Sequence, residues 1–96
     1  MDLPQAANKL TLQAIGAEVI RARLKFPHGS RLLAALMEEC GELANALLEL
    51  SFNPMQQDQW HDRVQKEAIQ VAAVAVRILE EGTPEFPEYR APGSGK

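Results

Sequence analysis

Glu38, Glu39 and Glu42 are threaded through the leucine-rich stretch LMEECGELANALLEL, and Glu67 and Gln70 open the apolar stretch EAIQVAAVAVRIL. Carboxylates at i and i+3 on one helix, facing similar groups on another, supply hard oxygen ligands of the kind Mg²⁺ prefers. Two other fates are open to such acids. They can be a solvated, i,i+4-paired face, or they can pair with Arg63, Lys66 and Arg77, which the helical pattern puts on the polar side of the Glu67 helix. The choice depends on burial, because an isolated carboxylate in apolar surroundings needs a partner, a proton or a metal.

At about 100° per residue, the faces can be assigned by counting. With Leu32 at zero, the leucine stripe is centred near ~70°, Glu38 falls opposite at ~240°, and Glu39 and Glu42 reach the rim at ~340° and ~280°. With Val64 at zero on the next helix, Glu67 lands at ~300°, between Val74 and Ile78, and Gln70 at ~240°. Glu38 is thus expected in water, Glu39 and Glu42 at the edge of a buried stripe, and Glu67 inside one.

Three helical segments position these residues. The first runs from Asn8 to Leu24 and stops at KFPHGS, where Pro27 and Gly29 break the pattern. Ser30 is the candidate N-cap of the second helix. SFNP closes that helix, with Asn53 able to cap and Pro54 suited to the first position of the third. The third extends to Glu81 with Gly82 as terminator, and a break between Gln57 and Trp60 is open. The Pro/Gly-rich residues 83–96 read as a tail on a single helical domain, 1–82, ordered only where they drape over it.

The chain has 96 residues, a net charge of −3, 46% hydrophobic and 5% aromatic residues, and one cysteine. These values give no overall electrostatic reason to bind nucleic acid and exclude an internal disulfide framework. No segment reads as a signal peptide or a membrane span, so the expectation is a cytoplasmic protein without membrane contact. Ile69 and Val76 place apolar groups away from the main stripe of the third helix, more than three helices can cover. Association is therefore expected.

EECGE followed by EAIQ, within EECGELANALLEL and KEAIQVAAVAVRILEEG, resembles the signature of the MazG-like all-α nucleoside triphosphate pyrophosphohydrolases. The resemblance runs from about Leu32 to Gly82. It implies an all-α helical bundle completed by dimer or tetramer formation. It also implies Mg²⁺-dependent (Mn²⁺ being possible) cleavage of a nucleoside triphosphate to monophosphate and pyrophosphate, as nucleotide-pool house-cleaning. Carried over by position, Glu39, Glu42 and Glu67 are metal ligands and Glu38 is the peripheral acid. Glu38 or Glu42 is the candidate to accept a proton from the attacking water. The departure is Gln70, where the family pattern has aspartate. Its amide oxygen can still ligate, but one charge is missing. The rivals are therefore a MazG-like protein that binds nucleotide or metal without turnover, and a structural oligomer whose acids pair with Arg63 or Arg77.

Basic residues are needed for the distal phosphates, and by type Lys66, Arg63, Arg31 and Lys25 are candidates. Asn45, one turn after Glu42, can add an oxygen. Trp60 offers a face to stack a nucleobase, although its angle favours the core. His28 and His61 lack a metal-ligand spacing. Cys40, near the centre of the leucine stripe, is expected to be a small buried hydrophobe.

Overall fold

The computed structural model describes residues 6–53 and 57–93. They form a bundle of three helices, α1 (Lys9–Lys25), α2 (Leu32–Phe52) and α3 (Gln57–Glu81), with a short 3₁₀ turn at Gly29–Arg31 and no strand among the described residues. Asn8 caps α1, its Oδ1 accepting from the Leu10 N–H at 2.7 Å. Ser30 belongs to the 3₁₀ turn, and the cap position of α2 falls on Arg31, without a side-chain capping bond. Asn53 ends α2, donating its backbone N–H to the Glu49 carbonyl at 2.9 Å. The expectation for Pro54 lies outside the described residues. α3 is unbroken through Trp60. Gly82 stops it at φ 74°, with its N–H on the Ile78 carbonyl at 2.8 Å, the left-handed conformation that glycine adopts without a Cβ penalty.

α1 and α2 each pack on α3 and, among the described residues, not on one another. Packing selects faces that differ from the apolar stripes. On α2 the covered arc holds Leu32, Ala35, Glu39, Glu42 and Ala46, whereas Leu33, Met37, Cys40, Leu47 and Leu48 are exposed. On α3 it holds Glu67, Gln70, Ala73 and Arg77, whereas Ala68, Ala75 and Leu79 are exposed. Two expectations are corrected by this rotation. Cys40 is exposed, because it shares the side of the leucine stripe with Leu33, Met37, Leu47 and Leu48, away from the covered arc. Arg77 is not on a polar side but 3% exposed, turned inward beneath α1.

Arg77 is satisfied there. Its guanidinium donates to Glu81 at 2.9 and 3.0 Å and reaches the Ala22 carbonyl at 3.4 Å. Arg23 of α1 donates to the same Glu81 at 3.0 Å and to Glu80 at 2.6 Å. The hydrogen bonds from Arg77, joined by those from Arg23, hold the Glu81 carboxyl below its ordinary value. This clamp matters because Val19 is the one described α1 residue that is buried. Beyond Gly82 the chain turns back. Phe86 and Tyr89 meet edge-to-face at 6.1 Å, and the Tyr89 hydroxyl donates to the Leu79 carbonyl.

Candidate metal centre

Glu39 and Glu42 stand one turn apart on the α2 arc that faces α3, and Glu67 projects from α3 to meet them. One carboxylate oxygen from each lies within 4.8 Å of the other two. Glu67 is 6% exposed. No basic side chain among the described residues pairs with any of the three: Arg77 is engaged with Glu81, and Arg63 lies over the Trp60 ring at 5.2 Å. Three carboxylates brought together without a cation repel one another. Burial, then the charges of Glu42 and Glu67, together with a hydrogen bond to Glu67, push the Glu39 carboxyl up to about 7.

Gln70 completes the group from the next turn of α3. With its amide nitrogen turned toward the acids, it donates to Glu39 Oε2 at 2.9 Å and Glu67 Oε2 at 3.1 Å. Rotation of the amide by half a turn presents its carbonyl oxygen to the same point. The donor set is then three carboxylates and an amide, all hard oxygen, which fits Mg²⁺ or Mn²⁺ rather than a thiophilic metal. The same side chain can thus knit the acids together when they stand alone or join them as a neutral ligand. Glu38 is exposed and outside the trio, as its angle required, and so is Asn45.

A cavity of about 540 Å³ opens from this centre, floored by α3 and walled by α1 and α2. Gln70, Glu39 and Glu38 lie at one end, and Arg77, Arg31, His28, Pro27 and Phe26 at the other. Seven residues of α3 separate Gln70 from Arg77, a length of roughly 10 Å at helical rise. Ala22, Leu32, Ala35, Ala73 and Val74 make its middle apolar and narrow-walled. Volume and lining suit a small organic ligand.

Among the basic candidates, Arg31 and Lys25 line this cavity, while Lys66 lines a shallower cleft on the other side of α1. Arg63 and Trp60 line neither cavity, and the Trp60 indole N–H is buried without an acceptor among the described residues. Glu18 and Arg21 of α1 line both, and sequence reasoning missed them. The available signal was the spacing of Glu18, Arg21 and Lys25, which puts them on one face of α1. Comparison with protein-family models, curated proteins and solved structures found no match for this chain.

Proposed function

We propose that this chain is a Mg²⁺-dependent nucleoside triphosphate pyrophosphohydrolase of the MazG-like kind, converting (d)NTP to (d)NMP and pyrophosphate in nucleotide-pool house-cleaning. The observation that carries the proposal is the trio Glu39, Glu42 and Glu67, converging within 4.8 Å with no salt bridge to a basic side chain among the described residues and with a ligand-sized cavity at its edge. Buried acids gathered without bases are costly for stability, which favours a functional purpose over a packing one.

In this reading Glu39, Glu42 and Glu67 hold the metal, with the Gln70 carbonyl as a neutral fourth ligand. Bound there, Mg²⁺ supplies Lewis acidity toward phosphate oxygens and lowers the pKa of a coordinated water. Glu38 lines the cavity without belonging to the trio, and so stays free to accept the proton of the attacking water. The apolar middle of the cavity takes the nucleoside and excludes bulk water from it. The exposed face of α2, with Met37 69% and Leu48 57% exposed, supports assembly into a homodimer or homotetramer.

A second reading is favoured by one observation. Gln70 can satisfy Glu39 and Glu67 by donation, so the centre can bind metal or nucleotide without the charge needed for turnover. Product analysis decides. Ribo- and deoxyribonucleoside triphosphates are incubated with the protein, with Mg²⁺ and with chelator, alongside Glu39→Gln and Glu67→Gln. Monophosphate and pyrophosphate from wild type, lost in both variants and on chelation, support the enzyme. Absence of product from folded wild type, with turnover gained in Gln70→Asp, supports the binding protein.

A further inference from the structure

Several arginines among the described residues already have partners. Arg23 and Arg77 are committed to Glu80 and Glu81, and Arg63 to the Trp60 face. Arg31, in the turn before α2, lines the cavity. Arg21, itself paired with Glu18, differs in its place. It projects from α1 at the junction of the two clefts, both of which reach Gln70 at the edge of the acidic trio. Its Nε donates to Glu18 at 3.0 and 3.1 Å and its Nη2 pairs with the same carboxylate, which orients the guanidinium without burying it, since its side chain is 54% exposed. Lys66 and Lys25 line the same shallow cleft.

The two clefts can take the two halves of a triphosphate nucleotide. Between Gln70 and Arg77 the cavity has an apolar stretch of alanines, Leu32 and Val74, and that stretch suits the nucleoside. The β- and γ-phosphates carry most of the negative charge and need donors on the solvent side. Arg21, anchored by Glu18, offers there the guanidinium N–H groups that Glu18 does not take. We propose that Arg21, with Lys66 behind it, binds the β- and γ-phosphates and receives the pyrophosphate that leaves. This inference rests on the reading of the trio as a pyrophosphohydrolase site.

In the step concerned, the water oxygen bonds to the α-phosphorus as the bond from that phosphorus to the α,β-bridging oxygen breaks. The bridging oxygen keeps the electron pair and departs with pyrophosphate, while the proton of the water passes to Glu38. Negative charge grows on the departing group, and Arg21 donates hydrogen bonds to it.

The test compares wild type, Arg21→Ala and Arg21→Lys by calorimetric titration at fixed Mg²⁺, using pyrophosphate and a nucleoside monophosphate as separate probes. Mn²⁺ binding without nucleotide is measured in parallel, with kcat and KM for the best triphosphate. Arg21 is exposed, so the variants are expected to fold. Arg21→Ala should weaken pyrophosphate binding by about tenfold or more, the scale of lost charge-assisted hydrogen bonds. Monophosphate and Mn²⁺ binding should stay within about twofold, and Arg21→Lys should fall between. Equal weakening of both probes, or none, overturns the assignment of Arg21 while leaving the trio's function standing. Wild type that turns over no triphosphate and binds no pyrophosphate overturns both.

Discussion

The raised Glu39 carboxyl makes a signed prediction about stability. A carboxyl at about 7 in the folded chain against an ordinary value of 4.5 holds its proton more tightly when folded than when unfolded. Stability from this group is therefore fully present below about pH 4.5 and is lost as pH rises through about 7. Over the whole rise the loss is about 3 kcal/mol, of which about 2 kcal/mol falls between pH 5.5 and 8. The carboxyl of Glu81, held low by Arg77 and Arg23, acts at the opposite end. Its stabilisation is present above about pH 4.5 and fades only in more acid solution, outside that interval. Metal-free protein should thus melt lower at pH 8 than at pH 5.5, by on the order of 10 °C for a domain of this size. Added Mg²⁺ should restore the loss at pH 8 and do little at pH 5.5, where it competes with the proton. The assay is thermal melting by circular dichroism across pH, with chelator and with millimolar Mg²⁺. Glu39→Gln is the control: it should flatten the slope and abolish the Mg²⁺ response. A wild-type Tm that holds level or climbs from pH 5.5 to 8 in chelator would refute the reasoning, since acids paired with bases behave that way.

Three further variants have expected outcomes. Gln70→Asp should tighten Mg²⁺ binding by roughly tenfold or more, read by calorimetry, because a fourth charge joins the ligand set. The same change should lower metal-free stability, since the amide donors to Glu39 and Glu67 are gone. Gly82→Ala should cost about 1–3 kcal/mol in urea unfolding, given φ 74° and a new Cβ only 2.9 Å from Tyr89 Cδ2. Leu33→Glu with Met37→Glu should yield a monomer by light scattering with helicity unchanged, as both side chains are exposed within the single chain.

Much of the fold was legible because each helix carries its own punctuation. Asn8 starts α1, Pro27 and Gly29 mark its end, and Gly82 terminates α3 through a backbone that needs no Cβ. The members of the trio were legible one helix at a time, since three-residue spacing puts Glu39 and Glu42 on one face of α2 and Glu67 falls within an apolar stripe of α3. The rotation of those arcs was not legible. Helical periodicity reports where leucine and valine lie, and it cannot report whether a stripe meets its own chain. Cys40 and Arg77 were misplaced for that reason. Arg77 is tolerated in the interior because Glu81 lies one turn away and Arg23 reaches the same carboxylate from α1, a contact 58 residues distant in sequence. Arg21 escaped notice because α1 has no apolar stripe strong enough to fix which face meets α3.

The two faces of α2 also define how the chain tolerates change in length. The arc that meets α3, centred near ~320°, and the leucine stripe, centred near ~70°, are offset by roughly 110°, close to the ~100° that one residue contributes to a helix. Substitutions can retune either face while leaving the other alone. Deleting one residue near Leu33 or Ala34 would instead turn everything downstream by one step, laying the leucines against α3 and swinging Glu39 and Glu42 into water. Such a deletion offers the chain a better hydrophobic contact at the expense of its acidic centre. In a population of length variants, the first turn of α2 should therefore be where stably folded proteins without the centre arise.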